Sequence, residues 1–267
     1  MSFRYRTIFV SDIHLGMRGV RSNELSAFLK HVECERLYLV GDILDLWVLK
    51  QRWHWPIAHN QVVRRILKLA RKGTGVTYIP GNHDDALRQY AGIDLGGVRV
   101  AMQAVHRTAD GRSLLITHGD EFDLVVKHSR LLSIIGALAY DQLLVLNRSV
   151  NGLRAMFGLR AWSFATAVKL KVKGACKFIS SFEEAVIDEV KRRGLDGVVC
   201  GHVHQPALRE QNGVTYANCG DFIERTSALV EHEDGRLELV CIEELLASAG
   251  IQPKVYEDEE VPLEFAI

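Results

Sequence analysis

The stretch VTYIPGNHDD, residues 76–85, joins an apolar run to a cluster of polar residues. The run Val76–Ile79 is short and rich in β-branched residues, which is typical of a strand buried on both faces. The chain then turns at Pro-Gly and presents an amide, an imidazole and two carboxylates. Four more apolar runs end in the same way: Thr7–Val10 before SDIH, Leu37–Val40 before GD, Leu114–Thr117 before HGD, and Gly197–Cys200 before GHVH. Five buried strands that each end in polar residues are therefore predicted.

Helix-like stretches lie between these strands. Apolar residues recur at three- and four-residue spacing at Leu25–Val32, after a candidate N-cap at Ser22 or Asn23, and again at Val62–Ala70 and Phe182–Val190. Strands that alternate with helices indicate an α/β fold. In such folds ligands bind beyond the carboxyl ends of the strands. We therefore expect the five polar clusters to meet in one site at a sheet edge.

One segment, residues 124–177, breaks the alternation, because its apolar residues keep helical spacing without a strand signal. It carries nine basic residues against one acidic residue, Asp141, so its net charge is +8 and that of the remaining chain is −8. We predict a helical lid at 124–177, inserted into a catalytic domain formed by residues 1–123 and 178–245. Residues 246–267, which contain an acidic run, are predicted to be a peripheral tail.

Composition limits the class of protein. The 267 residues include 33 Lys and Arg against 33 Asp and Glu, which disfavours a nucleic-acid binder. The five cysteines contain no CxxC pair, which argues against a zinc ribbon or a disulfide framework. No signal peptide and no apolar run of membrane-spanning length is visible. We expect a cytoplasmic protein without an obligate protein partner, whose basic insertion suits peripheral docking on the inner face of a membrane.

The polar clusters supply oxygen and imidazole ligands, which suit Mn²⁺ best, with Fe or Zn²⁺ as alternatives. With so many donors, two divalent ions are more plausible than one, and two ions can clamp a phosphoryl group between them. Asp42 is the natural bridging ligand, because it stands alone at its strand end and a carboxylate can bind two ions. The donor set comprises Asp12, His14, Asp42, Asn82, His83, His118, His202 and His204.

In this order, DxH, GD, GNHD, HGD and GHxH, the motifs of residues 7–204 resemble the calcineurin-like metallophosphoesterase superfamily. The resemblance implies two mixed β-sheets sandwiched between helices, an α/β/β/α arrangement with an inserted lid. It implies one metal held by Asp12, His14, Asp42 and His204, and another held by Asp42, Asn82, His118 and His202. It leaves His83 as general acid or transition-state stabiliser, with Asp84 orienting its ring.

A narrower resemblance rests on GDILDLW (residues 41–47), the insertion after HGD, and NCGDF (residues 218–222). These features are similar to the UDP-2,3-diacylglucosamine diphosphatase family of lipid A biosynthesis. That family cleaves a diacylated UDP-sugar to UMP and an acylated sugar 1-phosphate beneath a helical lid. Its best-known branch has GNRD where this chain has GNHD. The resemblance implies a nucleotide-linked or phosphorylated lipid substrate. The candidate substrate contacts are basic side chains of the insertion: Arg148, Arg154, Lys169 and Lys173.

Several assignments stay open on sequence alone. Asp45 is either a partner of a metal-bound histidine or a helix N-cap, and Asp120 and Asp123 share this ambiguity. Asp221 either holds a ligand loop or forms a turn. The alternative functions are a phosphoprotein phosphatase, a nucleotide phosphodiesterase or nuclease on the same scaffold, and a non-catalytic interaction module. Such a module is expected to lack some metal ligands, whereas here the full set is present.

Overall fold

A computed structural model of the chain describes residues 2–122, 179 and 182–256. Its strands, in chain order, are β1 (Phe3–Val10), β2 (Val32–Val40), β3 (Gly75–Ile79), β4 (Asp94–Leu95), β5 (Val98–Val100), β6 (Ala104–Arg107), β7 (Ser113–Ile116), β8 (Gly197–Cys200), β9 (Ala207–Gln211), β10 (Val214–Asn218), β11 (Ser227–Glu231) and β12 (Leu237–Cys241). Its helices are α1 (Ser22–His31), α2 (Leu46–Gln51), α3 (Ile57–Arg71), α4 (182–192) and α5 (Ile242–Ser248). Two 3₁₀ turns cover Asp85–Tyr90 and Asp120–Phe122.

The described strands form two mixed sheets. The seven-stranded sheet has the order β12-β11-β1-β2-β3-β5-β4, and the five-stranded sheet has the order β6-β7-β8-β10-β9. β1, β2, β3 and β5 run parallel, as do β7, β8 and β10, whereas the outer strands pair antiparallel. The predicted arrangement of two mixed sheets flanked by helices is confirmed.

Alternation along the strands creates two apolar cores. In β1, Ile8 and Val10 face one side and belong to a cluster that includes residues of α1, α3 and α5. Phe9, between them, points to the other side and packs in a second cluster with residues of the five-stranded sheet, such as Ile116 and Val199. Because side chains alternate along a strand, one short apolar run serves both cores.

The first helix differs from the prediction at both ends. Ser22 is the first helical residue rather than a cap, and Arg21 occupies the N-cap position without a side-chain hydrogen bond. Val32, predicted as helical, begins β2, where it pairs with Phe3. The hydrogen bonds of the parallel ladder between β1 and β2 outweigh the helical spacing of Val32, so the helix ends at His31.

The helix α5 crosses residue 245, where the catalytic domain is predicted to end. α5 extends to Ser248, and Leu246 is buried in the core that includes residues of α1 and α3. Residues 1–120 and 186–267 group into one compact unit, and residues 121–185 into another. The insertion predicted at 124–177 lies outside the described residues, together with Asp123, Arg148, Arg154, Lys169 and Lys173. The lid and its candidate contacts therefore remain predictions.

Candidate metal centre

The five polar clusters follow the carboxyl ends of β1, β2, β3, β7 and β8. The first three strands belong to the seven-stranded sheet and the other two to the five-stranded sheet. The clusters thus meet where the ends of two sheets adjoin, rather than along the edge of a single sheet. Because the two sheets pack face to face, residues separated by 190 positions or more become neighbours, as in the contact of His202 with Asp12.

The first group of donors consists of Asp12, His14 and His204, whose ligand atoms lie within 4.8 Å of one another. His204 Nε2 lies 3.2 Å from Asp12 Oδ1. The backbone N–H of His202 donates to both carboxylate oxygens of Asp12, at 3.2 and 3.1 Å. These contacts fix the Asp12 carboxylate between the ends of β1 and β8.

The second group is formed around His118. Its Nε2 lies 3.3 Å from Asp42 Oδ2 and 3.3 Å from Asn82 Oδ1. The rings of His118 and His202 are 5.2 Å apart between centroids. Asp42 Oδ2 is also 3.9 Å from His14 Nε2, which belongs to the first group. The Asp42 carboxylate therefore lies between the two groups.

The buried histidines present their Nε2 atoms to the carboxylates because their Nδ1 atoms are bound elsewhere. His118 Nδ1–H donates to the carbonyl of Val40 at 3.1 Å, and His14 Nδ1 lies 3.2 Å from Asp45 Oδ2. His14 Nε2 is buried without a hydrogen-bond partner in the described part of the chain. A buried ring nitrogen in that situation, beside Asp42, fits a divalent ion, since metal-bound imidazoles usually donate their other N–H to an oxygen acceptor.

The charges in the centre also fit a divalent cation. Burial alone would raise the pKa of Asp42, but the charge and hydrogen bond of His118, with His83 and His14, hold it well below its usual range. Burial would lower the pKa of His118, but the charge and hydrogen bond of Asp42 raise it to about 10. Before a cation binds, a proton on the His118 ring therefore balances part of the carboxylate charge. A divalent cation that binds here displaces such a proton.

The close packing of the centre depends on glycines. A Cβ at Gly81 would overlap Asp42 Oδ1 and approach the His118 ring to 2.7 Å. A Cβ at Gly41 would overlap the His118 ring, and one at Gly201 would overlap Asp12 Oδ2. The glycines of the GD, GNHD and GHVH motifs are thus required because ligand side chains touch the backbone there.

Asp45 fulfils both roles that the sequence left open. Its Oδ1 accepts the Val48 N–H at 2.8 Å and caps α2. Its Oδ2 lies 3.2 Å from His14 Nδ1 and 2.9 Å from His83 Nδ1. A single carboxylate oxygen therefore orients a predicted ligand and the predicted general acid, whose rings are 4.7 Å apart.

The prediction that Asp84 orients the His83 ring is wrong. The His83 ring nitrogen binds Asp45, whereas Asp84 accepts backbone N–H groups and the Tyr78 hydroxyl. The reason is local geometry, since Asp84 is fully buried beneath the loop after β2. Sequence reasoning missed Tyr78, which reads as one more apolar position of β3.

Two further aspartates flank the centre. Asp120 accepts from Arg88 Nη2 at 2.7 Å through both carboxylate oxygens. Asp221 is buried and accepts the N–H groups of Ile223 and Glu224 through Oδ1, at 2.7 and 2.6 Å. Both carboxylates therefore shape the loops beside the site. For Asp221, this agrees with the interpretation that it forms a turn.

An aromatic cluster adjoins the His14 loop. The Trp53 and Trp55 rings are stacked with centroids 6.1 Å apart, and Trp55 meets the His59 ring edge-on. His59 Nδ1 accepts the Gly16 N–H at 3.1 Å. Burial, followed by the charge of His54, lowers the pKa of His59 to about 4, which suits a neutral acceptor. Trp55 thus belongs to a packed loop that supports the His14 turn, whereas Trp53 is exposed.

The family model of the calcineurin-like phosphoesterases matches residues 5–206, which is more than half of the chain. The chain therefore belongs to this family, and it is a metal-dependent phosphoesterase. The resemblance carried by the five strand-end motifs is confirmed.

Its relatives include proteins named UDP-2,3-diacylglucosamine hydrolase. The one from Xanthomonas campestris pv. campestris strain B100 is 26% identical over 245 residues, covering 86% of this chain and 96% of that protein. The one from Blochmanniella pennsylvanica is 22% identical over 213 residues, covering 76% and 80% respectively.

The chain also matches solved structures over most of its length. A hypothetical protein from Pyrococcus horikoshii OT3 has a TM-score of 0.47 at 10% identity, covering 97% of this chain and 100% of that one. An archaeal phosphodiesterase has a TM-score of 0.42 at 12% identity, covering 88% and 98% respectively. In the described residues, no helix has the length and apolar character needed to cross a membrane.

Proposed function

We propose that this phosphoesterase holds two divalent ions, preferably Mn²⁺ with Fe or Zn²⁺ as alternatives, and hydrolyses the pyrophosphate bond of a diacylated UDP-sugar. The products are UMP and an acylated sugar 1-phosphate. The observation that carries the proposal is the position of the Asp42 carboxylate between two groups of donors, 3.3 Å from His118 Nε2 and 3.9 Å from His14 Nε2. Two cation sites that share one carboxylate suit phosphoryl chemistry.

The donors divide naturally between the two sites. One set comprises Asp12, His14, Asp42 and His204, and the other comprises Asp42, Asn82, His118 and His202. When bound, such ions supply a nucleophile at neutral pH and neutralise the charge on the phosphoryl oxygens. The chain itself fixes the donors before any ion binds, because Asp45 orients His14 and the Val40 carbonyl orients His118.

His83 is assigned the role of general acid. Asp45 accepts its Nδ1–H at 2.9 Å, which leaves Nε2 to hold the transferable proton. Burial would lower the pKa of His83, but the Asp45 hydrogen bond and the charge of Asp42 raise it. The protonated form of the ring is therefore favoured relative to that of a free imidazole. It gives this proton from Nε2 to the leaving phosphate oxygen as the P–O bond breaks, and Asp45 stabilises the charged ring until then.

The substrate assignment is supported by the relatives named UDP-2,3-diacylglucosamine hydrolase and by the composition of residues 124–177. An insertion that is both apolar and strongly basic suits a ligand with acyl chains and phosphates. We assign substrate contacts to Arg148, Arg154, Lys169 and Lys173. We also propose that the insertion docks on the anionic cytoplasmic face of a membrane, where its lipid substrate resides.

The test compares substrates and metal content in matched variants. Asp42→Ala should abolish hydrolysis and lower the bound metal measured by elemental analysis, because both sites lose a donor. Asp85→Ala, which removes an exposed carboxylate three residues beyond Asn82, should leave both unchanged. The wild-type protein should hydrolyse diacylated UDP-glucosamine much faster than unacylated UDP-N-acetylglucosamine.

Each arm of the test can contradict a different claim. Near-normal hydrolysis by Asp42→Ala would refute the metal assignment. Equal rates on the two UDP-sugars would refute the lipid specificity and leave a phosphoesterase of another substrate.

A further inference from the structure

The carboxylate of Asp84 is completely buried, yet it is surrounded by donors. Its Oδ2 accepts the Ile43 N–H at 2.9 Å, the Leu44 N–H at 3.3 Å and the Tyr78 hydroxyl at 2.5 Å. Its Oδ1 accepts the Gly81 N–H at 2.5 Å and the Asp42 N–H at 3.4 Å. Five donors, four of them from the backbone, thus converge on one side chain.

Three of these donors come from consecutive residues, 42 to 44, in the turn that follows β2. Successive N–H groups in such a turn form a concavity that binds anions, and here an internal carboxylate fills it. Asp42 at the head of the turn has a φ of 53° and is held in the left-handed region. Asp84 therefore stabilises the backbone conformation that aims the Asp42 side chain.

The contact between the two loops is reciprocal. Asp84, which follows β3, holds the loop after β2, and Asp42 Oδ1 accepts the His83 N–H of the loop after β3 at 2.8 Å. In addition, the Leu46 N–H donates to the His83 carbonyl at 3.1 Å. One network of hydrogen bonds therefore sets the positions of the Asp42 carboxylate and of His83.

Tyr78 completes this network from the interior of β3. Its side chain is buried, and its hydroxyl meets Asp84 Oδ2, the oxygen that also accepts Ile43 and Leu44. Burial raises the pKa of Tyr78 well above its usual value, with the charge of Asp84 adding to the effect, so the phenol keeps its proton. The Tyr78 hydroxyl is thus a permanent donor to Asp84 Oδ2, and its hydrogen bond opposes the rise in the Asp84 pKa that burial and the charge of Asp42 cause.

We propose that Tyr78 and Asp84 are positioning residues for the metal centre: the Tyr78 hydroxyl fixes Asp84, and Asp84 fixes the turn that aims Asp42 and the loop that carries His83. This inference rests on the proposed function, because it assigns the pair a purpose only if Asp42 binds metal. Neither residue is among the assigned metal ligands. Their effect is transmitted through backbone N–H groups.

The deciding variant is Tyr78→Phe, which removes one hydroxyl and keeps the ring. Its matched control is Tyr38→Phe on the adjacent strand β2, where the lost hydroxyl lies 3.4 Å from His106 Nδ1 in the core between the sheets. The probe is Mn²⁺ alone, titrated into metal-free full-length protein by calorimetry and by electron paramagnetic resonance. Tyr78→Phe should weaken Mn²⁺ binding about tenfold, the usual scale for a lost outer hydrogen bond at a metal site. Tyr38→Phe should bind Mn²⁺ as the wild type does.

The variant Asp84→Asn provides a second test, again through Mn²⁺ affinity. An amide keeps the shape of the carboxylate but turns an NH₂ group toward backbone donors, so its loss of Mn²⁺ affinity should exceed that of Tyr78→Phe. Unchanged Mn²⁺ affinity in Tyr78→Phe, or an equal loss in Tyr38→Phe, would overturn the inference. A wild-type protein that binds no Mn²⁺, Fe or Zn²⁺ would instead refute the proposed function itself.

Discussion

At the residue scale, Asp45 links the groups to which we assign different tasks. It binds the Nδ1 atoms of His14 and His83 with the same oxygen, and it caps α2 with the other. The charge of this carboxylate is maintained, because the hydrogen bonds from His14 and His83 outweigh burial and hold the pKa of Asp45 below its usual range. One buried side chain therefore couples the position of a metal ligand to that of the proposed acid.

A first prediction concerns His83. We expect His83→Ala to lower kcat by roughly two to four orders of magnitude, the usual contribution of a general acid. The metal content should stay near that of the wild type, because His83 is not among the assigned ligands. Turnover of the UDP-sugar and elemental analysis of the same preparation measure the two effects. A parallel loss of metal would show that His83 is a ligand and not the acid.

Sequence reasoning found the chemistry of the site more easily than its supports. Asp12, His14 and His118 are recognisable because each belongs to a polar cluster that follows an apolar run. Tyr78 lies within such a run, so nothing in the sequence separates its hydroxyl from the buried surface of β3. The partner of His83 was misassigned to its neighbour Asp84, because proximity along the chain gave no information about the direction of the side chain.

At the scale of elements, the centre depends on how closely strand ends approach one another. Gly81 follows β3, and its Cα faces Asp42 and the His118 ring, which follow β2 and β7. No side chain fits between these three strand ends. The backbone of Gly81, which carries no side chain, therefore sets the distance between the two donor groups.

A second prediction tests this packing. In Gly81→Ala the added methyl group would overlap Asp42 Oδ1, so we expect metal binding to fall by at least tenfold and hydrolysis with it. The matched control is Gly75→Ala at the start of β3, where the nearest atom, the Glu35 carbonyl oxygen, is 3.6 Å away. Calorimetric titration with Mn²⁺ separates the variants. Wild-type affinity in Gly81→Ala would mean that the strand ends can move apart.

The elements themselves follow from the sequence to different degrees. The sequence predicts the five motif strands, because continuous apolar runs mark them. β9 was missed, since its exposed and half-buried residues form no apolar run. The end of α1 was misplaced, because the pairing of Val32 with Phe3 is a contact between distant parts of the chain.

At the scale of the whole molecule, the buried carboxylate of Glu231 joins the two sheets away from the strand ends that carry the donors. Glu231 of β11 lies 2.7 Å from His106 Nε2 of β6, and its other oxygen accepts from Arg6 at 2.6 Å. Burial would raise the pKa of Glu231, but the hydrogen bonds from His106, Thr7 and Ala109 lower it to about 2. The folded protein therefore favours the charged carboxylate.

A third prediction follows for acid stability. Because the pKa of Glu231 is lower in the folded state than its ordinary value of 4.5, its contribution is fully present above that pH and is lost as the pH falls toward 2. Glu231→Gln should cost on the order of 3 kcal/mol of unfolding free energy at neutral pH. The difference from wild type should shrink below pH 4.5 in urea unfolding curves.

The control for this prediction is Glu238→Gln on the neighbouring strand β12. Glu238 pairs with His232 and Arg236, but its side chain is 44% exposed, so solvent screens the pair and the loss should be under about 1 kcal/mol. A difference between wild type and Glu231→Gln that stays constant from pH 7 to pH 2 would contradict a role for the charge of Glu231.

The backbone of the metal centre has a consequence for protein engineering. Asp12, His14, Asp42, His202 and His204 all adopt left-handed conformations, with φ between 48 and 70°. Each such residue costs about 1 kcal/mol relative to glycine, which reaches this region without strain. Glycine at any of these five positions would relieve that strain, but it would remove a donor side chain of the metal centre. A library that aims at a thermostable enzyme has to keep these five codons fixed, or be screened for hydrolysis in every round.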